Sequence, residues 1–309
     1  MPEKRLSFDK ERERVDFKLN MVEENELNYD FLDKFKGAFI RSEYLIRDSG
    51  NYVTNEGVLS DLRRLTTKVS EKFYPNDVWY RVSEFTTHEA NALNGVEEII
   101  KEKNEMCGLR GIRRSLKHPE AFKKELKNIG ELTESYPNIN FLFTMIHDVS
   151  QVKEIKNVLR EIDYNNKIGM MVEIPSVILL FDQFHNEMDN FVIGLNDITA
   201  FVLGSHRRLE KIYDRTHPAV KKMLSMITEK RDIYKKPIEM AGYLKCPEVK
   251  MGIDLGVDSI YLNVQSLPYV FEEFKGCKIK DRPYIKDPKK PTEPGYFKSI
   301  LGELNEKKS

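Results

Sequence analysis

Apolar residues in this sequence gather in short runs, and between the runs they recur at every third or fourth position. Short apolar runs mark strands buried on both faces, and spacings of three and four mark helices with one buried stripe. The runs predict strands at residues 15–20, 37–41, 78–82, 140–146, 167–175, 190–197, 237–242 and 259–263. A shorter segment at 107–113 is a ninth candidate. Helices are predicted near 29–36 and over 55–73, where Val58, Leu62, Leu65 and Val69 share a face and Pro75 follows the end. Further helices are predicted over 119–135 and after residue 146, with Val152, Ile155, Leu159 and Ile162 at helical spacing.

Strands that alternate with helices imply a parallel sheet, and eight repeats imply closure into an α/β, (β/α)8 TIM barrel. A doubly wound open sheet is the structural rival. No G-x-G-x-x-G opens a helix, which weakens its dinucleotide-binding form. The expected layout is a barrel at 14–276 between a loosely held N-terminal segment, 1–13, and a charged C-terminal tail, 277–309. Residues 271–275 are expected to finish a helix that stops at Gly276, and a short helix is expected at 296–304.

Composition narrows the function classes. Lys plus Arg and Asp plus Glu both number 50 in 309 residues, so the net charge is zero and a nucleic-acid binder working by bulk charge is disfavoured. No apolar run approaches the roughly 20 residues of a membrane span, and Met1-Pro2-Glu3-Lys4-Arg5 lacks the apolar core of a signal peptide. Three cysteines, Cys107, Cys246 and Cys277, show no metal spacing. Reduced thiols and a cytoplasmic location are expected.

Two runs end in acid: Met171-Val172-Glu173-Ile174-Pro175 and Ile193-Gly194-Leu195-Asn196-Asp197. A barrel keeps its chemistry at the C-terminal ends of its strands, and two carboxylates on successive strands can hold one hard divalent cation. Arg41, Arg81, Arg110 and Arg207 lie at or just past predicted strand ends. Arginine is costly inside a sheet unless it meets anions, and its planar fork fits phosphate or carboxylate. Any one of these arginines taken alone is better explained by an ion pair with a neighbour such as Glu43 or Glu84. The set of four, with Glu173 and Asp197, favours a site for a small, multiply charged anion and a metal ion.

Five motifs in order carry a resemblance. They are Phe39-Ile40-Arg41-Ser42-Glu43-Tyr44-Leu45, Gly108-Leu109-Arg110-Gly111-Ile112-Arg113, Met171-Val172-Glu173-Ile174-Pro175, Ile193-Gly194-Leu195-Asn196-Asp197-Ile198-Thr199 and His217-Pro218-Ala219-Val220. From about residue 15 to 268 the chain resembles the C-terminal phosphoenolpyruvate (PEP)-binding barrel of the PEP-utilising enzymes: PEP synthase, pyruvate phosphate dikinase and enzyme I of the sugar phosphotransferase system. The resemblance implies that Glu173 and Asp197 bind Mg²⁺. It implies that Arg41, Arg81 and Arg110 grip the phosphate and carboxylate of PEP, with Asn196 and Arg207 on the phosphate. Arg81 and Arg110 would be the catalytic pair, offsetting charge as the phosphoryl group moves in line to a histidine. It also implies a homodimer.

The departures are as informative. The family's C-G-E, whose cysteine exchanges a proton with C3 of the enolate, reads Ala241-Gly242-Tyr243 here, and Cys246 five residues on is a poor substitute. G-G-D-K reads Thr86-Thr87-His88-Glu89, and His206 stands where an acid usually precedes the late arginine. The swivelling phosphohistidine domain and the nucleotide-grasp domain are not in this sequence. Three functions follow as expectations. The first is the barrel of a PEP synthase-like phosphotransferase, with the histidine and nucleotide domains on a separate protein. The second is an Mg²⁺-dependent lyase or aldolase-like enzyme acting on a pyruvate or PEP enolate. The third is a non-catalytic PEP-binding regulatory module.

Overall fold

The computed structural model describes residues 4–207 and 212–280. Eight parallel strands close into a barrel in sequence order: β1 (Asp16–Met21), β2 (Ala38–Arg41), β3 (Val78–Arg81), β4 (Ile139–Phe143), β5 (Ile168–Val172), β6 (Asn190–Gly194), β7 (Ile238–Ala241) and β8 (Ser259–Asn263). The ring is sealed where Asp16 to Asn20 of β1 pair in register with Ser259 to Asn263 of β8. The predicted barrel is thus the observed fold, and the open-sheet rival is set aside.

Strand periodicity sorts the side chains. Phe39, Trp79, Leu142, Met171, Val192, Ala241 and Tyr261 pack as one cluster inside the barrel. Their strand neighbours, such as Ile40, Tyr80 and Val172, belong to the larger core between sheet and helices. Because side chains alternate, a step of two from an inward residue stays inward. From Phe39 it leads to Arg41, from Trp79 to Arg81, and from Met171 to Glu173. The apolar layer is therefore the reason that these charges share one mouth.

The outer helices follow their stripes. Helix Glu56–Phe73 buries Val58, Leu62, Leu65 and Val69, and its Asn55 cap accepts the Gly57 and Val58 N–H groups at 2.9 and 3.2 Å. Helix Val149–Glu161 buries Val152, Ile155 and Leu159. His217 caps helix Pro218–Thr228, its Nδ1 accepting the Ala219 N–H at 3.1 Å.

Four expectations need correction. Residues 107–113 form no strand: they are a turn that runs into helix Ile112–Lys117, because Gly111 takes φ 51° and breaks any extended run. The helix expected near 29–36 is the 3₁₀ helix Asp30–Lys34. The α-helix expected to reach residue 135 ends at Gly130 and tightens into the 3₁₀ turn Glu131–Glu134. The helix expected at 271–275 is likewise one 3₁₀ turn, Glu272–Phe274, just before Gly276.

Within the segment expected to be loose, residues 4–13 are tied down. Leu6 exchanges backbone hydrogen bonds with Val270 and Glu272 at 2.8 and 2.9 Å. Phe8 is fully buried among Phe17, Phe35, Phe271 and Phe274. The aromatic area that Phe8 buries outweighs the charge around it. The charged tail beyond residue 280, with the helix expected at 296–304, lies outside the described residues. Among the described residues, no helix is long and apolar enough to cross a membrane.

Candidate functional site

The C-terminal mouth of the barrel holds a continuous chain of charges. Arg41, at the end of β2, donates through Nε to Glu43 at 2.9 Å. Arg81, at the end of β3, also donates to Glu43 and lies 3.6 Å from Glu84. Arg110 donates through Nε to Glu84 at 2.9 Å and through Nη1 to Asp197 at 3.0 Å. Arg207 pairs with the other oxygen of Asp197. Asp197 sits in the first turn of helix Leu195–Leu203, directly after β6. Four guanidinium groups and three carboxylates thus alternate around the mouth.

Glu173 is the fourth carboxyl and is held differently. It directly follows β5, is 1 % exposed, and accepts the Met145 N–H at 2.7 Å. Met145 adopts φ 58°, a costly conformation for a side chain of its size, and it points this N–H at Glu173. Gly194 makes the room: a Cβ there would lie 2.7 Å from both Cβ and Oε2 of Glu173. Among the described residues no Lys or Arg pairs with Glu173. Burial, then the Asp197 and Glu84 carboxylates, push its carboxyl up to about 8, against the weaker pull of Arg110 and the Met145 N–H. Glu84 goes the other way: burial pushes it up, but Arg110 and Arg81 more than offset this and hold it at about 2. Glu43 is also held low, because Arg81 and Arg41 outweigh its burial.

The structure brings Arg41, Arg81, Arg110, Glu173, Asp197 and Arg207 to one end of the barrel. Asn196 sits beside them, with two of its oxygens already bonded. Its Oδ1 accepts the Tyr243 N–H at 3.3 Å and its carbonyl accepts the Tyr213 hydroxyl at 2.9 Å. Ala241 ends β7, is 2 % exposed, and carries no titratable atom toward the mouth. The Thr86-Thr87-His88-Glu89 stretch is a helix cap. The Thr86 hydroxyl accepts the Glu89 N–H at 3.3 Å, and Glu89 accepts the Thr86 N–H at 2.9 Å.

Glu43 and Glu84 entered the sequence reading only as ordinary ion-pair partners, and they are the links that join the arginines. Glu125 went unnoticed. It reaches from helix Pro119–Gly130 and accepts the Tyr80 hydroxyl at 2.9 Å and the Ser83 N–H and hydroxyl at 2.9 and 2.7 Å. Those bonds fix the exit of β3, which carries Arg81 and Glu84. A buried acid on an otherwise apolar helix face, four residues from Ala121, was the only sequence signal.

Spare capacity remains in the mouth. The buried Nε groups of Arg81 and Arg207 have no hydrogen-bond partner among the described residues, nor has Oε2 of Glu43. Buried donors without partners are rare and costly, and an anion would satisfy them. Glu173 and Asp197 offer hard oxygen donors. No cluster of three or more His, Cys, Asp or Glu suited to a metal occurs among the described residues.

Residues 4–278 match the family model of the PEP-utilising enzyme PEP-binding domain. The chain belongs to this family. It is 30% identical over 252 residues to the phosphoenolpyruvate synthase of Pyrococcus furiosus, an alignment covering 75% of this chain and 31% of that protein. It is 30% identical over 186 residues to the phosphoenolpyruvate-protein phosphotransferase of Bacillus subtilis, covering 55% of this chain and 32% of that one. The chain thus spans about a third of the length of these relatives. Among solved structures, a HpcH/Hpal aldolase/citrate lyase family protein from Burkholderia cenocepacia superposes with a TM-score of 0.51 at 10% identity, covering 84% of this chain and 93% of that one. At that identity the likeness establishes the shared barrel and nothing of its chemistry.

Proposed function

We propose that this chain is the Mg²⁺-dependent PEP-binding barrel of a PEP synthase-like phosphotransferase. It works together with phosphohistidine and nucleotide-binding domains. The observation behind this reading is Glu173: a buried carboxyl facing Asp197 and Glu84, inside a ring of arginines that keep donors to spare. A hard divalent cation is the natural counter-charge for Glu173 and Asp197. Mg²⁺ is commonly held by one or two protein carboxylates plus substrate oxygens, so two protein ligands suffice. When bound, the ion would neutralise and orient the anionic oxygens of the substrate.

The chain's own residues do the rest. PEP carries a phosphate and a carboxylate, roughly three negative charges at neutral pH. Arg81 and Arg207 meet it with free Nε donors. Arg110 holds Asp197 in place and faces the same space, and Arg41, partly exposed, covers the rim. Fixed guanidinium groups stabilise the phosphoryl group as it passes from the enol oxygen to an incoming histidine, while negative charge grows on the oxygen that it leaves. Calorimetry tests the binding step: PEP should bind with Mg²⁺ and fail to bind with Mg²⁺ chelated. Adding a phosphohistidine partner should then give transfer from PEP to its histidine, and a lack of binding under both conditions would refute the reading.

Ala241 favours a second reading, a PEP-binding module without turnover. An alanine cannot deliver a proton to the enolate, and no other titratable side chain ends β7. Under this reading PEP still binds with Mg²⁺, and phosphorus NMR shows no product with any partner.

A further inference from the structure

Arg110 is the hub of the mouth, since among the described residues it alone joins Glu84 to Asp197. It lies at the end of a long connection, residues 92–111, with no regular secondary structure of its own to aim its side chain. Within that connection, Glu102 makes two bonds that bracket Arg110. Its Oε1 accepts the N–H of Leu109, the residue just before Arg110, at 2.8 Å. Its Oε2 accepts the Thr87 hydroxyl, which lies on the helix Thr87–Asn91 that follows β3. Thr87 is 1 % exposed and also accepts from Arg114 at 3.1 Å, so it is a fixed point.

Gly108 fits this contact. A Cβ at Gly108 would overlap the Glu102 carboxylate, lying 2.6 Å from Oε1. The clash is with the far end of a flexible side chain, so a larger residue would expel the carboxylate instead of unfolding the loop. The other glycine of the motif, Gly111, sits with φ 51° and with 2.9 Å between a Cβ built there and the Thr144 carbonyl oxygen. It seats the far side of Arg110 against β4.

We infer that Glu102 is a positioning residue: seated on Gly108, it ties Leu109 to Thr87 and so aims Arg110 at Glu84 and Asp197. This deepens the PEP-binding reading and rests on it for its effect on ligand, while its effect on Arg110 needs no ligand.

The test is a double-mutant cycle of Glu102→Ala and Gly108→Ala in the full chain, read two ways. The first readout is the ¹H–¹⁵N signal of the Arg110 Nε–H in the ligand-free protein. It should be sharp and slowly exchanging in the wild type, where Glu84 holds it, and lost in both single variants while the rest of the spectrum stays in place. Glu102→Gln, which keeps one acceptor, should restore part of it. The second readout is PEP affinity with Mg²⁺, expected to fall on the order of tenfold in each single variant. The double variant should be no worse than either single one, because both remove the same contact. Retention of the Arg110 signal in Glu102→Ala, or additive losses in the double variant, would overturn the inference. If wild-type protein fails to bind PEP, the functional reading falls, and the Arg110 signal still decides this one.

Discussion

The two ends of this barrel each bury a carboxylate, and they treat it in opposite ways. At the N-terminal end Glu239, from β7, is 1 % exposed. It pairs with Lys18, accepts the Asn190 side-chain amide at 2.6 Å, and accepts the Tyr261 hydroxyl at 2.8 Å. Those partners come from β1, β6 and β8, so one acid ties together four strands. At the C-terminal end Glu173 is equally buried, yet it accepts one backbone N–H and is pushed harder by the Asp197 and Glu84 carboxylates than it is pulled by Arg110. One carboxylate is fully satisfied by the fold, and the other is left asking for a cation. A buried acid with its partners in place is architecture, whereas one held beside like charges is a binding site in waiting.

Substituting each acid in turn should separate the two roles. Glu173→Gln should weaken Mg²⁺-dependent PEP binding by at least about 100-fold, read by calorimetry, because it removes a ligand from the cation. It should leave the ligand-free fold intact. Glu239→Gln should do the reverse. It strands Lys18 without its ion partner and should cost about 3 kcal/mol in urea unfolding, with PEP affinity little changed. The same phenotype from both would erase the contrast.

The pH dependence sharpens it. The folded-state carboxyl of Glu173 is raised to about 8, so between its unfolded value near 4.5 and about 8 the unfolded chain is ionised while the folded one keeps its proton. Stability from this group is therefore present below about pH 4.5 and is lost as pH rises to about 8, by an amount on the order of a few kcal/mol. Glu173→Gln should remove that slope. Urea midpoints that fall with pH in the wild type and not in the variant would bear this out, and parallel curves would contradict it.

Smaller effects follow. Gly194→Ala places a methyl group against Glu173 and should cost about 1–3 kcal/mol in urea unfolding, with weakened cation binding. A smaller change still is expected from Ala241→Cys. It should raise enolate-to-pyruvate turnover, measured as pyruvate release, if a missing proton donor is the only lesion; no gain would point to the binding-module reading.

Most of the fold was legible because barrel strands are short, apolar and separated by striped helices, a pattern that survives without knowledge of contacts. Residues 107–113 misled because a brief apolar stretch between glycines looks like a strand until the φ of Gly111 is known. Phe8 was hidden by its charged neighbours, and its pocket is built by residues such as Phe271 and Phe274, more than 260 positions away in the sequence. The charged mouth was visible as residues at strand ends. Its wiring was not: that Glu43 and Glu84 would bridge the arginines, or that Glu102 and Glu125 would brace them, depends on chain segments brought together only by closure of the barrel.

The most direct test is proton release on Mg²⁺ binding. Calorimetry at pH 7 in buffers of different ionisation enthalpy should show close to one proton released per ion, with Mg²⁺ affinity rising about tenfold per pH unit up to about pH 8 and then levelling off. Mg²⁺ binding with no proton release and no pH dependence would mean that Glu173 either carries no proton before the cation arrives or does not meet it, and the contrast between the two ends of the barrel would lose its functional meaning.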